Sequence, residues 1–230
     1  MENLFLKYMS ERLEFKSAKH LHQGPVITIS RESGCPGNEL AEMLTHKLNQ
    51  TLVKQGLPPK WRWFNKEILQ KASEELKMNP GDVETYLKAQ ESGVLQDLVN
   101  SFTETYHVRN ASIKKVIYEV IRNLAMSGHV IIVGRGGGTI AWDIQKALHL
   151  YLEAPLSWKA NVISNQKNIS VSQARKYVLE RDMQRARFRE NYRVKYSDEI
   201  FYDERFNCKS FTKEQLCDLV FHAAELKRLI

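Results

Sequence analysis

Cysteine is scarce in this sequence, and long apolar runs are absent. The three cysteines among 230 residues form no C-x-x-C pair, which is typical of reduced thiols and excludes a disulfide-stapled secreted domain. The longest aliphatic run, Val130–Val133, is far shorter than the ~20 residues that a membrane-spanning helix needs. Residues 1–4 show no basic-then-apolar signal pattern. We therefore expect a cytoplasmic protein that makes no membrane contact.

The charge balance is basic and concentrated in one segment. The chain carries 34 Lys and Arg against 27 Asp and Glu, a net charge of +7. Residues 175–195 alone hold eight basic and three acidic side chains, which is most of that excess. A cluster of this kind binds anions, such as the phosphates of nucleotides or of nucleic acid. The composition is otherwise that of a globular protein, with 43% hydrophobic and 27% charged residues.

Short apolar segments alternate with helical patterns along the chain. The clearest helix is predicted over 113–124, where apolar residues recur with a period of 3.6. Strands that alternate with helices are typical of an α/β protein with a mainly parallel sheet, covered by helices on both faces. The predicted strands are 25–30, 61–64, 130–133, 148–152 and 205–208.

The first strand runs through a glycine loop into a helix marked by Leu40, Leu44 and Leu48. In such a junction the backbone N–H groups and the helix dipole favour a bound phosphate. Gly34 and Gly37 would allow close backbone approach. Glycines also serve ordinary left-handed turns, and the loop alone does not decide between the two roles.

Several short motifs follow one another in the order of a known family. The segment Val26-Ile-Thr-Ile-Ser-Arg-Glu-Ser-Gly34, with Gly37 and Glu39-Leu-Ala41 after it, resembles the opening of the cytidylate kinase-like family of P-loop nucleoside monophosphate kinases. Gly134-Arg-Gly-Gly-Gly-Thr139 resembles the Gly-Arg-Asp-x-Gly-Thr loop of cytidylate kinases. Further resemblances lie at residues 64–68, 150–155, 181–182 and 203–210. The resemblance covers 24–230 and leaves 1–23 as a predicted N-terminal arm.

The resemblance implies a P-loop kinase fold: a parallel five-stranded sheet flanked by helices, with an Arg-rich helical lid over about 165–196. It implies transfer of the ATP γ-phosphoryl group to a nucleoside monophosphate, with ATP and Mg²⁺ as cofactors and nucleotides as partners. The residues implied for ATP are Arg31, Ser33, Gly34, Cys35, Gly37 and Asn38. Those implied for the acceptor are Asn65, Lys66, Arg135 and Gly136. Catalysis is assigned to Arg135 together with the lid residues Arg181, Arg185 and Arg189.

Arg181, Arg185 and Arg189 recur every four residues and so share one helix face. A row of guanidinium groups over a phosphoryl transfer would neutralise its charge and exclude water. A solvated basic face paired with Glu180 and Glu190 is the alternative. Contact with nucleic-acid phosphates is the least favoured interpretation.

The sequence departs from the phosphate-binding pattern GxxxxGK[S/T]. Aligned on Gly34, it has Gly37 at the lysine position and Asn38 at the hydroxyl position, and Pro36 provides no N–H. Gly136 replaces the acid of the second loop. Arg31 is the predicted substitute for the lysine. The alternative function is a non-catalytic nucleotide-binding protein with a degenerate loop. The sequence does not identify the Mg²⁺ ligands: Asp143 is a possible contact because few acids lie near the loops. Neither the acceptor nor the oligomeric state can be predicted from it.

Overall fold

One parallel sheet organises the described part of the chain, which comprises residues 24–65, 117–190 and 202–230 of a computed structural model. The sheet order is β2-β3-β1-β4-β5, and every pairing is parallel. The strands are β1 (Val26–Arg31), β2 (Arg62–Phe64), β3 (Val130–Val133), β4 (Ala147–Glu153) and β5 (Glu204–Asn207). These strands confirm the predicted parallel α/β sheet, with β1 at its centre.

Helices connect and cover the strands. Residues 117–127 form the described part of α2, which contains the end of the helix predicted over 113–124. The basic helix predicted after residue 170 is present as α5. The bounds of α5 and of the remaining helices are α1 (Gly37–Lys54), α3 (Gly137–Ile140), α4 (Leu156–Lys167), α5 (Val171–Glu190) and α6 (Lys213–Leu226). The final helix begins with a capping box, in which Thr212 and Gln215 exchange side-chain-to-backbone hydrogen bonds.

The alternation of side chains along β1 divides the core in two. Ile27 and Ile29 face α1 and α6, where Leu44 and Val220 are fully buried. Val26 faces the opposite side and packs with the apolar residues of α2 and α3. Because both faces are covered, the central strands are apolar on both sides, as expected for a parallel sheet.

Polar side chains interrupt the second face in the middle of β1. The Thr28 hydroxyl lies 2.7 Å from His149 Nδ1, and the His149 backbone N–H donates to Asp203 Oδ2 at 2.7 Å. Lys227 donates to the other oxygen of Asp203 at 2.6 Å. Burial lowers the pKa of His149 to about 4. The imidazole is therefore neutral at pH 7 and ties β1 to β4 below the end of the sheet.

Some predictions lie outside the described residues. They are the N-terminal arm at 1–23, the helical patterns between 66 and 116, and the end of the proposed lid beyond residue 190. The separate helix α4 was not predicted from the sequence. Its three buried residues, Lys159, Ala160 and Ile163, form a stripe too narrow to give a strong helical period.

Candidate functional site

A cavity of about 330 Å³ opens where β1, β2 and β3 end. This volume is within the range of small-molecule sites, and the carboxyl ends of parallel strands are the usual place for them. Five arginines line the cavity, and its described lining includes no carboxylate. The lining residues are Ser30, Arg31, Asn38, Asn65, Gly134, Arg135, Gly136, Arg181, Gln184, Arg185, Phe188 and Arg189.

Two glycines make room for Arg31 at the end of β1. A Cβ on Gly37 would lie 3.2 Å from Arg31 Cγ, and a Cβ on Gly134 would lie only 1.9 Å from Arg31 Nη1. The stem of Arg31 therefore passes Gly37, and its guanidinium group rests on Gly134. Arg31, the residue predicted to replace the lysine, therefore presents its positive charge to the cavity.

Arg135 projects from a strained loop. Its φ of +55° lies between the positive φ values of Gly134 and Gly136, at +73° and +69°. A non-glycine residue in this region costs about 1–2 kcal/mol, and such strain concentrates at functional sites. Its guanidinium carbon lies 6.0 Å from the centre of the Phe188 ring. The loop thus directs a planar cation towards the cavity, supported by an aromatic ring from α5.

The other three arginines come from α5 and confirm its predicted helical spacing. Arg181, Arg185 and Arg189 all line the cavity. Arg185 Nη1 donates to the backbone oxygen of Arg31 at 3.0 Å, and the guanidinium carbon of Arg189 lies 5.2 Å from the Tyr151 ring centre. Arg185 and Arg189 therefore each contact a residue of the sheet, in β1 and β4 respectively.

The glycine loop itself directs its N–H groups to acceptors within the protein. Ser33 donates to Asp182 Oδ1 at 2.7 Å, Cys35 to the Glu32 oxygen at 3.4 Å, and Gly37 to the Cys35 oxygen at 2.9 Å. Of the six residues implied for ATP, the cavity brings together Arg31 and Asn38. The other four, Ser33, Gly34, Cys35 and Gly37, lie outside its lining.

Cys35 contributes to packing. It packs against the same core cluster as Cys208, and the hydrogen bond between the two thiols, together with burial, raises the pKa of Cys35. A thiol in this state is a poor nucleophile.

Lys159 forms an ionic network behind the loop that the sequence did not indicate. Its ammonium group lies 2.7 Å from Glu32 Oε2 and 2.7 Å from Asp182 Oδ2, and only 8% of the side chain is exposed. Burial lowers the pKa of Lys159, but the hydrogen bonds that its ammonium group donates to Asp182 and Glu32 outweigh this effect and raise the pKa above its usual value. The sequence feature that could have indicated this network is the spacing of Lys159, four residues before Ile163, which places both on the buried face of α4.

The acceptor residues implied by the resemblance fall partly within the described chain. Asn65, Arg135 and Gly136 line the cavity together, whereas Lys66 lies outside the described residues. Asn65 directly follows β2 in the chain.

A Mg²⁺ ion bound by the protein does not fit the described lining. Mg²⁺ prefers carboxylate oxygens, and no group of three or more His, Cys, Asp or Glu residues suited to a metal occurs in the described ranges. Asp143, the candidate contact for Mg²⁺, forms a two-oxygen ion pair with Arg122 and does not line the cavity. Phosphate groups, in contrast, match the five guanidinium groups, since arginine binds their oxygens bidentately.

The fold and this cavity define an α/β protein with a five-stranded parallel sheet and a site suited to phosphate groups. The chain belongs to the cytidylate kinase-like family, whose sequence pattern matches residues 26–210. Both the predicted family and the predicted fold class, a five-stranded parallel sheet flanked by helices, are confirmed.

Comparisons with individual proteins are more distant. Over 98 residues the chain is 32% identical to cytidylate kinase from Pyrococcus horikoshii, an alignment that covers 42% of this chain and 50% of that enzyme. The chain thus spans about half the length of this curated relative. A crystal structure of an uncharacterized protein from Eubacterium ventriosum superposes with a TM-score of 0.59 and 17% identity, over 87% of this chain and 98% of that one. This similarity supports the fold alone.

Shikimate kinase from Bacteroides thetaiotaomicron aligns with 88% of this chain and 97% of its own, at 13% identity and a TM-score of 0.43, which is too low to carry an argument. In the described residues, every helix is too short or too polar to cross a membrane. The predicted cytoplasmic location stays a prediction.

Proposed function

We propose that this protein is a nucleoside monophosphate kinase-type phosphotransferase, which moves the ATP γ-phosphoryl group to a nucleotide or a similar small acceptor. The observation that carries the proposal is the convergence of five arginines on one cavity at the carboxyl ends of β1 and β3. Phosphoryl transfer depends mainly on positioning and on neutralising the charge of the oxygens. Family membership supports the same reaction class.

Each arginine has a separate part in this proposal. Arg31, fixed over Gly134, contacts the donor phosphates in place of the absent lysine. Arg135 holds the acceptor phosphate with its planar fork. Arg181, Arg185 and Arg189 lie over the transferred group, exclude water and neutralise its oxygens. ATP supplies the phosphoryl group, and Asn65 lies where it can contact the acceptor.

A non-catalytic nucleotide-binding protein is the second candidate, and the glycine loop favours it. The Ser33 N–H that a donor phosphate would use is bonded to Asp182, and the loop has neither the lysine nor the hydroxyl residue of the usual pattern. Loss of one preorganised donor costs about 10²–10³ in rate. This candidate predicts nucleotide binding without turnover.

The two candidates separate in an assay of ADP production from ATP·Mg²⁺ with a panel of nucleoside monophosphates. For a kinase, we expect turnover with at least one acceptor, and Arg135→Ala should lower kcat/KM by about 10²–10³. The matched control is Arg187→Ala, because Arg187 is exposed on the same helix as the lid arginines. Binding of ATP without turnover for any acceptor would favour the second candidate.

The domain organisation belongs to the same proposal. In it, residues 24–230 form one kinase-like domain with a lid over about 165–196, and residues 1–23 form an N-terminal arm.

A further inference from the structure

We propose that Lys159 is a positioning residue, whose ammonium group between Glu32 and Asp182 sets the place of the α5 arginines over the cavity and thereby the affinity for phosphate groups. The inference rests on the proposed function only in that it concerns the same phosphate-binding cavity. Lys159 does not line that cavity, so it would act through other residues.

One side chain connects three parts of the fold. Lys159 belongs to α4, Glu32 to the glycine loop, and Asp182 to the middle of α5. The two contacts of the ammonium group are each 2.7 Å long. Asp182 uses its second oxygen to accept the Ser33 N–H at 2.7 Å. Both oxygens of Asp182 are therefore fixed, and the adjacent turn of α5 is held against the loop.

The arginines of α5 depend on this anchor because of their spacing. Arg181 directly precedes Asp182, and Arg185 follows it by three residues, so a rotation or shift of α5 at Asp182 displaces both. Arg185 also donates to the Arg31 backbone oxygen at 3.0 Å. That length leaves little room for displacement before the bond is lost.

Lys159 also controls the charge of the site. Residues three apart on a helix are neighbours, so the Asp182 carboxylate lies within reach of Arg185. The contact with Lys159 directs that carboxylate away from the cavity. Without the ammonium group, Asp182 would be left to pair with an arginine and to neutralise one of the charges that bind phosphate.

The test uses inorganic pyrophosphate and ATP as probes in calorimetric titrations of the full chain. We expect Lys159→Met to weaken pyrophosphate binding at least tenfold, and Lys159→Arg, which keeps the charge, to weaken it by less than threefold. Lys176→Met is the matched control, because it removes an exposed cation from α5. The affinity of this variant for pyrophosphate should stay within twofold of the wild-type value. Unchanged affinity in a folded Lys159→Met variant would overturn the proposal.

A double-mutant cycle separates positioning from a general structural defect. If Lys159 acts through the α5 arginines, then adding Lys159→Met to Arg185→Ala should cost less than the tenfold expected in the wild-type background, because only the effect transmitted through Arg181 remains. A full additional tenfold loss would refute positioning.

Should Lys159→Met fail to fold, Asp182→Glu provides the same test, since it keeps the charge but displaces α5 by one methylene group. It should bind pyrophosphate at least threefold more weakly, and unchanged affinity would contradict the inference. A wild-type chain that binds pyrophosphate but phosphorylates no acceptor would refute the kinase proposal alone. A wild-type chain that binds neither probe would overturn both.

Discussion

The guanidinium group of Arg31 lies against Gly134, and a substitution of Gly134 tests whether Arg31 binds phosphate. A control variant separates the effect of backbone strain from the effect of displacing Arg31. In Gly134→Ala the new Cβ would lie 1.9 Å from Arg31 Nη1. Non-bonded atoms settle at about 3.5–4.0 Å, so the guanidinium group must retreat by about 2 Å. The tip of a flexible side chain moves at little cost to folding. The loss therefore falls on the function of Arg31.

Gly56→Ala is the matched control. Gly56 has almost the same φ as Gly134, +74° against +73°, but a Cβ there would meet no atom within 4 Å. Each substitution forces alanine into the left-handed region at a cost of about 1–2 kcal/mol. We expect the free energy of unfolding in urea to fall by similar amounts in both variants, because they share this strain.

Affinity should distinguish the two variants. A hydrogen bond to a charged group contributes about 1.5–3 kcal/mol, which corresponds to roughly a tenfold to 150-fold change in Kd. Calorimetric titration with pyrophosphate should therefore show at least a tenfold weaker Kd for Gly134→Ala and no change for Gly56→Ala. Equal affinity in both variants would refute the role assigned to Arg31.

Two further predictions concern stability. The buried His149 has a pKa of about 4 in the folded protein and about 6.5 in the unfolded chain. At a pH between these two values, His149 is neutral when folded and binds a proton on unfolding. The free energy of unfolding should therefore fall by about 2–3 kcal/mol from pH 7 to pH 4.5. In His149→Asn, urea unfolding should show a fall that is smaller by this amount. An equal fall in the variant and the wild type would contradict the assignment to His149. Thr212→Ala should remove the cap of α6 and cost about 1 kcal/mol in thermal unfolding, and Thr212→Ser should restore most of it. Equal stability of the Ala and Ser variants would show that the hydroxyl does not cap the helix.

The strands and the arginine row were predictable because local sequence determines them. Val130–Val133 is apolar on both faces and can only be a buried strand, and the four-residue spacing of Arg181, Arg185 and Arg189 places them on one helix face. Arg31 was predicted as the substitute for the lysine because Arg31-Glu32 matches the motif of the family, and the structure places Arg31 in the lining of the cavity.

The roles of the glycines and of Lys159 could not be predicted because they depend on contacts between distant segments. Gly37 and Gly134 are almost a hundred residues apart, and both lie against Arg31 because β1 pairs with β3. The sequence suggested that the loop glycines admit phosphate, whereas in the fold they also admit an arginine side chain. Lys159 meets Asp182 only because α4 packs against α5.

The central position of β1 has a consequence for synthesis of the chain. β1 pairs with β3 on one side and with β4 on the other, and Thr28 faces His149 across 121 residues of sequence. At about 5–20 residues per second, a ribosome needs roughly 6–24 s to make that interval. Both edges of the apolar β1 segment lack a partner until β3 is made, and the edge that pairs with β4 lacks one throughout, which favours aggregation. Protection of residues 26–31 by a chaperone during this interval would therefore raise the yield of folded protein more than the same protection after release.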